Sequence, residues 1–204
     1  MKMRNIRVFF LLFSLVPCLV SLAPGVTDAK PRSAKVAGAF YPDDPQVLRR
    51  VVTELLDRHP APAPSAPAPR ILIAPHAGYA YSGVVAARAF REIQGHSYDG
   101  VVVVGFAHRG QFDGTSVDDR EAYQTPLGLI PVDLEAVEWL KQQRGITHVE
   151  SAHESHEHSL EVMLPFLQVA LAPRDSAGRD EFRLVPLLMG SMDFQDASDV
   201  ADAL

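Results

Sequence analysis

Val101-Val-Val-Val104 is the feature that most restricts how this chain can fold. β-branched side chains are stiff in a helix and point alternately to the two faces of a strand, so four in a row call for a sheet covered on both faces. The flanking pattern supplies the cover. Val47, Leu48, Val51, Val52, Leu55 and Leu56 recur at helical spacing between Pro45 and Arg58, with Asp43 or Asp44 placed to cap the start and Pro45 suited to the first turn. Val84 to Ile93, Leu134 to Gln143 and Leu160 to Leu171 read as further helices, the last bent at Pro165. Ile71 to Ala74 and Phe182 to Met189 read as strands, with Pro186 marking a bulge or an edge in the second. Strands alternating with helices predict an α/β fold with a mostly parallel or mixed sheet flanked by helices. A last helix begins near Ser191 and the chain stops at Leu204. That leaves a short sheet with an uncovered edge, as if the domain were incomplete at its C-terminal side.

The remaining composition narrows the classes. A chain of 204 residues, 47% of them hydrophobic, can bury one good core and not two. A net charge of -6 gives no electrostatic reason to expect nucleic acid as a partner. Residues 1–29 read as a secretory signal peptide, with Lys2, Arg4 and Arg7 before the apolar run Val8 to Ala23 and small or polar residues beyond. The run is short for a membrane span and Pro17 interrupts it, so the expectation is export, periplasmic or extracellular, with membrane contact only through an uncleaved N-terminal segment. The single cysteine, Cys18, lies in that run, so a mature domain over 30–204 would have no thiolate ligand. The tract Pro60 to Pro69 reads as an extended surface crossing within one domain.

Ligands of open α/β sheets sit beyond the carboxyl ends of the strands. His76 follows the first expected strand, and His108 follows Val101–Val104 through Gly105-Phe-Ala. The nearby glycines Gly78, Gly83, Gly105 and Gly110 permit tight turns and close backbone approach. Two neutral imidazoles meeting there would begin a first-row transition-metal site; a single strand-end histidine is more often a hydrogen-bonded loop residue, and it is the pair that brings the two readings level. A third cluster, Ala152-His-Glu-Ser-His-Glu-His-Ser-Leu-Glu161, places His158 and Glu161 three apart, on one face of a helix. They could provide a ligand, a partner orienting one, or a proton-transfer pair. His153 and His156 read as solvated loop residues, and Ser155 or Ser159 as helix caps. Tyr79 and Tyr81 either line a pocket or anchor the turn. No phosphate-binding glycine loop and no Gly-x-Ser-x-Gly elbow is present.

Val36-Ala-Gly-Ala-Phe-Tyr-Pro42, Ala74-Pro-His-Ala-Gly-Tyr-Ala-Tyr-Ser-Gly83, Val104-Gly-Phe-Ala-His108, Tyr123-Gln-Thr-Pro-Leu-Gly128 and Glu157-His-Ser-Leu-Glu161 with Leu164-Pro165 occur in that order. Together they resemble the Memo-like family, whose prokaryotic members are called AmmeMemoRadiSam system protein B. The resemblance implies a fold similar to class III extradiol ring-cleaving dioxygenases and a non-haem iron or copper held by two histidines and a cysteine. The histidines correspond to His76 and His108; the cysteine belongs to a later motif beyond Leu204. The chain departs from the family in reading Gly105-Phe-Ala-His108 where Gly-Pro-x-His is common, and in carrying Arg109 and Met163 where some relatives have histidines. The expected function is a metal-dependent redox protein, with His158 and Glu161 as acid–base or orienting groups and Tyr79 and Tyr81 at the substrate. The alternatives are a non-catalytic module that binds a small molecule or peptide in the same crevice, or a truncated inactive member. A ligand donated by a second subunit would make it a homo-oligomer.

Overall fold

A computed structural model describes residues 30–204 apart from 64, 110, 155 and 172–181. The expected leader with Cys18, and Ser155 as a cap, lie outside the described residues. Among those described, no helix is long and apolar enough to cross a membrane.

Helix α1 (Pro45–Asp57) starts where the Asp44 carboxylate accepts from the Gln46 and Val47 amides at 2.9 and 2.8 Å. Its apolar stripe buries Leu48, Val52, Leu55 and Leu56 against α2 (Tyr79–Arg91). Gly83, Ala86 and Ala87 keep the facing side of α2 small, and Phe90 stacks on Phe166 of a later helix with ring centroids 5.1 Å apart. The sheet is built from β1 (Gly100–Phe106), β2 (Thr115–Val117), β5 (Ile146–Thr147) and β6 (Arg183–Met189), in the order β1-β6-β2-β5. β1 runs parallel to β6, β2 antiparallel to β6, and β5 parallel to β2. A hairpin, β3 (Ala122–Thr125) and β4 (Gly128–Pro131), stands apart. Helices α3 (Leu134–Leu140), α4 (Glu150–Glu154), α5 (Leu164–Ala170) and α6 (Phe194–Ala203) complete the set. The result is the mixed, helix-flanked α/β sheet that the pattern predicts.

Several local expectations need correction. Ile71–Ala74 forms no strand: it runs unpaired, with Leu72 and Ala74 packed on the core and Ile71 and Ile73 exposed. β1, the edge strand of its sheet, is covered on one face only: Val101 and Val103 turn inward onto the core, while Val102 and Val104 on the other face are 44% and 46% exposed. Pro186 lies in a central strand and not at an edge or bulge. Its carbonyl accepts from Asp118 N, and within a strand the N–H and C=O of one residue point to the same side. The missing donor therefore faces the place where β2 has already ended at Val117, and the ladder to β1 is untouched. Pro165 does not bend a long helix. A short 3₁₀ turn, Glu161–Met163, precedes α5, and the proline occupies the first turn, where no N–H is needed. α2 begins five residues earlier than the apolar spacing suggests, at Tyr79, whose amide donates to Phe40 O at 2.8 Å.

Candidate functional site

The site is assembled where the end of β1 meets the loop 157–160. Gly105 makes the meeting sterically possible: a Cβ there would overlap Ser159 Oγ and lie 2.9 Å from Leu160 Cδ2. The buried Glu157 side chain then ties the two segments together. One carboxylate oxygen accepts from the His108 amide at 2.5 Å and the Arg109 amide at 3.3 Å; the other accepts from His158 N at 2.7 Å and Ser159 N at 2.8 Å. Burial pushes this carboxyl up, but the Ser159 and His108 donors prevail and hold it below the ordinary glutamate range. A single ionised group thus sets the backbone from which two imidazoles spring.

Those imidazoles converge with a third. His76 Nε2 lies 2.9 Å from His108 Nε2, and the ring of His158 stacks on His108 at 4.7 Å between centroids, within 6.1 Å of His76. Partial burial, together with the positive charge each would feel from its neighbours, lowers the pKa of His76 and of His158. Both rings are therefore neutral near pH 7 and keep lone pairs for a metal or a proton. Two nitrogens bound to one first-row metal at about 2.1 Å each, at angles of roughly 90–110°, lie about 3.0–3.4 Å apart. The observed 2.9 Å falls just below that range and matches one ring donating an N–H to the other; a slight separation of the rings would let the same two nitrogens face a metal instead.

Glu161 is placed differently from the sequence expectation. The shared helical face does not form over His158, because the 3₁₀ turn starts only at Glu161. Glu161 is 1% exposed and accepts from Arg32 Nη1 at 2.7 Å, Tyr41 Oη at 2.7 Å, and the Lys35 and Val36 amides at 2.9 Å. With four donors and no solvent, it anchors the segment 32–41 instead of exchanging protons beside His158. Tyr79 is likewise an anchor: it is buried, its hydroxyl donates to Val162 O at 2.9 Å, and its ring packs on Tyr41 and Phe166. It also borders an open cleft of ≈ 460 Å³ with Phe40 and Tyr41 that contains no imidazole. Tyr81 is 89% exposed on α2 and lines neither cleft described here. A second cleft of ≈ 540 Å³ reaches His158 and is also lined by Lys35, Phe40, Arg109 and His156.

Two features were missed in the sequence. Glu157 precedes His158 directly, and that adjacency is its signal in the sequence, whereas helical spacing points to Glu161. Asp118, Asp119 and His148 each place one ligand atom within 4.8 Å of the others, so these three could hold a cation. Their separation in sequence gave no motif. In the structure they are already engaged: Lys141 Nζ lies 2.6 Å from Asp119, Tyr123 Oη donates to Asp118 at 2.8 Å, and His148 Nδ1 is 2.9 Å from Val117 O. His153, expected in solvent, is 1% exposed: Nε2 is 2.9 Å from Ser116 Oγ, and Nδ1 lies 3.4 Å from Tyr123 Oη. Burial pulls its pKa down to about 4. His156 is exposed, as its loop position suggested.

Comparison with known proteins matches this architecture. The Memo-like protein family matches residues 32–204. A MEMO1 family protein of Methanothermobacter thermautotrophicus is 36% identical over 179 residues, covering 85% of this chain and 62% of its own length. One from Methanopyrus kandleri is 35% identical over 181 residues, 85% and 61% of the two chains. The Protein memo-1 homolog of Caenorhabditis elegans is 34% identical over 161 residues, 79% and 43%. The chain thus spans about three fifths of the length of the archaeal relatives it matches. A family match over residues 32–204, with relatives above 30% identity across most of the chain, places this protein in the Memo-like family.

Proposed function

We propose that this Memo-like chain binds non-haem iron or copper through His76 and His108 and serves metal-dependent redox chemistry, with His158 as the neighbouring base. The 2.9 Å separation of the two Nε2 atoms, with a third ring stacked at 4.7 Å, carries this reading. A metal held there supplies open coordination positions for oxygen or a small organic substrate. The protein's part is positional and electrostatic. His76 and His108 offer imidazole nitrogens from two different segments, and Glu157 fixes the loop bearing His108 against the one bearing His158. His158, neutral at pH 7 because burial lowers its pKa, can take a proton from a bound substrate and return it. The imidazole cluster is favoured over the Asp118–Asp119–His148 group, because a cation at the latter must displace the Lys141 ammonium from Asp119.

Metal content after anaerobic reconstitution tests the assignment. His76→Ala and His108→Ala should each lose the bound metal, while Asp119→Asn retains it. Unchanged stoichiometry in both histidine variants would put the metal elsewhere, end the reading, and leave the crevice as a binding module that holds no metal of its own.

A further inference from the structure

We propose that the cleft beside the imidazoles is the seat of a small organic anion, with its carboxylate or phosphate on Arg109 and its apolar body against Phe40 and Ala39. The lining carries the argument. Lys35, Arg109, His156 and His158 share the cleft with Val36, Ala39 and Phe40, and no aspartate or glutamate among the described residues lines it. In a protein of net charge -6, a concave surface whose described charged groups are the Lys35 ammonium and the Arg109 guanidinium concentrates field of one sign and draws anions. The two full cations are not equivalent. Lys35 Nζ is 3.1 Å from a Glu154 carboxylate oxygen, whereas the Arg109 guanidinium has no acidic partner among the described residues. The guanidinium fork matches the two oxygens of a carboxylate or phosphate. It stands next to His108 in the chain, and its amide is on the same Glu157 oxygen, so its position is tied to that of the imidazole.

The apolar half of the cleft leads to the same place. The Phe40 ring packs on His158 at 4.5 Å, His158 stacks on His108 at 4.7 Å, and His108 meets His76 at 2.9 Å between nitrogens. One row of rings connects the cleft wall to the imidazole pair. A volume of ≈ 540 Å³ lies within the usual range of small-molecule sites. The inference names the ligand class for the site proposed above and rests on that reading only for what the ligand is brought to. Anion binding itself needs no metal.

The test uses the metal-free protein and four probes: benzoate, phenyl phosphate, the neutral isostere benzamide, and inorganic phosphate. Binding is followed by ¹H–¹⁵N NMR at the Arg109 Nε–H and at the Phe40 and His158 amides. Benzoate and phenyl phosphate should shift all three signals. Benzamide, or either anion with Arg109→Gln, should bind roughly tenfold more weakly, as expected for loss of one charge-assisted contact. Inorganic phosphate should bind more weakly than phenyl phosphate, because it has nothing to place on Phe40. Equal binding of benzoate and benzamide, or an unchanged affinity in Arg109→Gln, overturns the anionic assignment. Inorganic phosphate matching phenyl phosphate overturns the apolar half. Since no metal is present, failure of the stoichiometry experiment and failure of this one are separate results.

Discussion

Two histidine-bearing regions of this molecule use the same chemical groups to opposite ends. Inside, His153 is enclosed with Ser116, Asp118 and Tyr123, and nearby Arg32 joins Glu161 and Tyr41 while its Nε donates to His153 O at 2.8 Å. At the rim, His76, His108 and His158 meet one another and the Phe40 and Phe106 rings. In the interior every polar atom of the network that lacked a partner would cost the full desolvation of that atom, so partners are built in and the network is structural. At the rim water can fill unused valences, so the rings keep capacity for a ligand. The two glutamates of Glu157-His-Ser-Leu-Glu161 divide along the same line: Glu161 is satisfied by a guanidinium and a phenol, and Glu157 by four backbone amides that aim the imidazoles.

The contrast breaks first, if it breaks, on Glu161→Ala. The Arg32 guanidinium is 4% exposed and would be left without its countercharge, so the loss expected from chemical denaturation is about 3–5 kcal/mol. A loss below about 1 kcal/mol, the size usual for exposed pairs, would show that this network is not the structural one. The interior imidazole gives the next effect. His153 has its pKa lowered from 6.5 to about 4, so the unfolded chain takes up a proton before the folded one does. Its contribution is complete above pH 6.5 and is lost as pH falls toward 4, by about 3 kcal/mol in total. His153→Gln should flatten the stability profile across that window by close to one proton's worth of slope.

Gly105→Ala sharpens the comparison from the other side. The added methyl must push the 157–160 loop off β1, with an overpacking cost of about 1–3 kcal/mol and a larger loss of metal affinity than the stability change alone would give. Isothermal titration with Co(II) beside urea unfolding separates the two quantities. The smallest stability effect belongs to the rim: His108→Ala should unfold within about 0.5 kcal/mol of the parent, as surface substitutions usually do, yet lose its metal. A His108→Ala protein that is strongly destabilised would place the rim histidines among the structural ones.

Much of this was legible in the chain. The period of Val47 to Leu56 and the cap at Asp44 fix α1, because both signals act within a few residues. Val101–Val104 is a strand for the same local reason. Ile71–Ala74 looked equally strand-like and is not one, since pairing depends on a neighbour that no local pattern specifies. The placing of His76 and His108 beyond apolar runs signals a shared rim, but the glutamate that serves it is Glu157 and not the Glu161 that spacing pairs with His158. Helical spacing pointed to Glu161, and only the 3₁₀ turn, which begins after His158, separates the two side chains.

By itself the sequence determined the element types that periodicity and capping control, the family, and which imidazoles stand at the ends of apolar segments. The tertiary structure alone decided which of eight histidines are sealed and which are open, and which carboxylate each segment meets. Burial and partnership are properties of contacts between residues as far apart as Arg32 and Glu161, and no local signal in either segment encodes them.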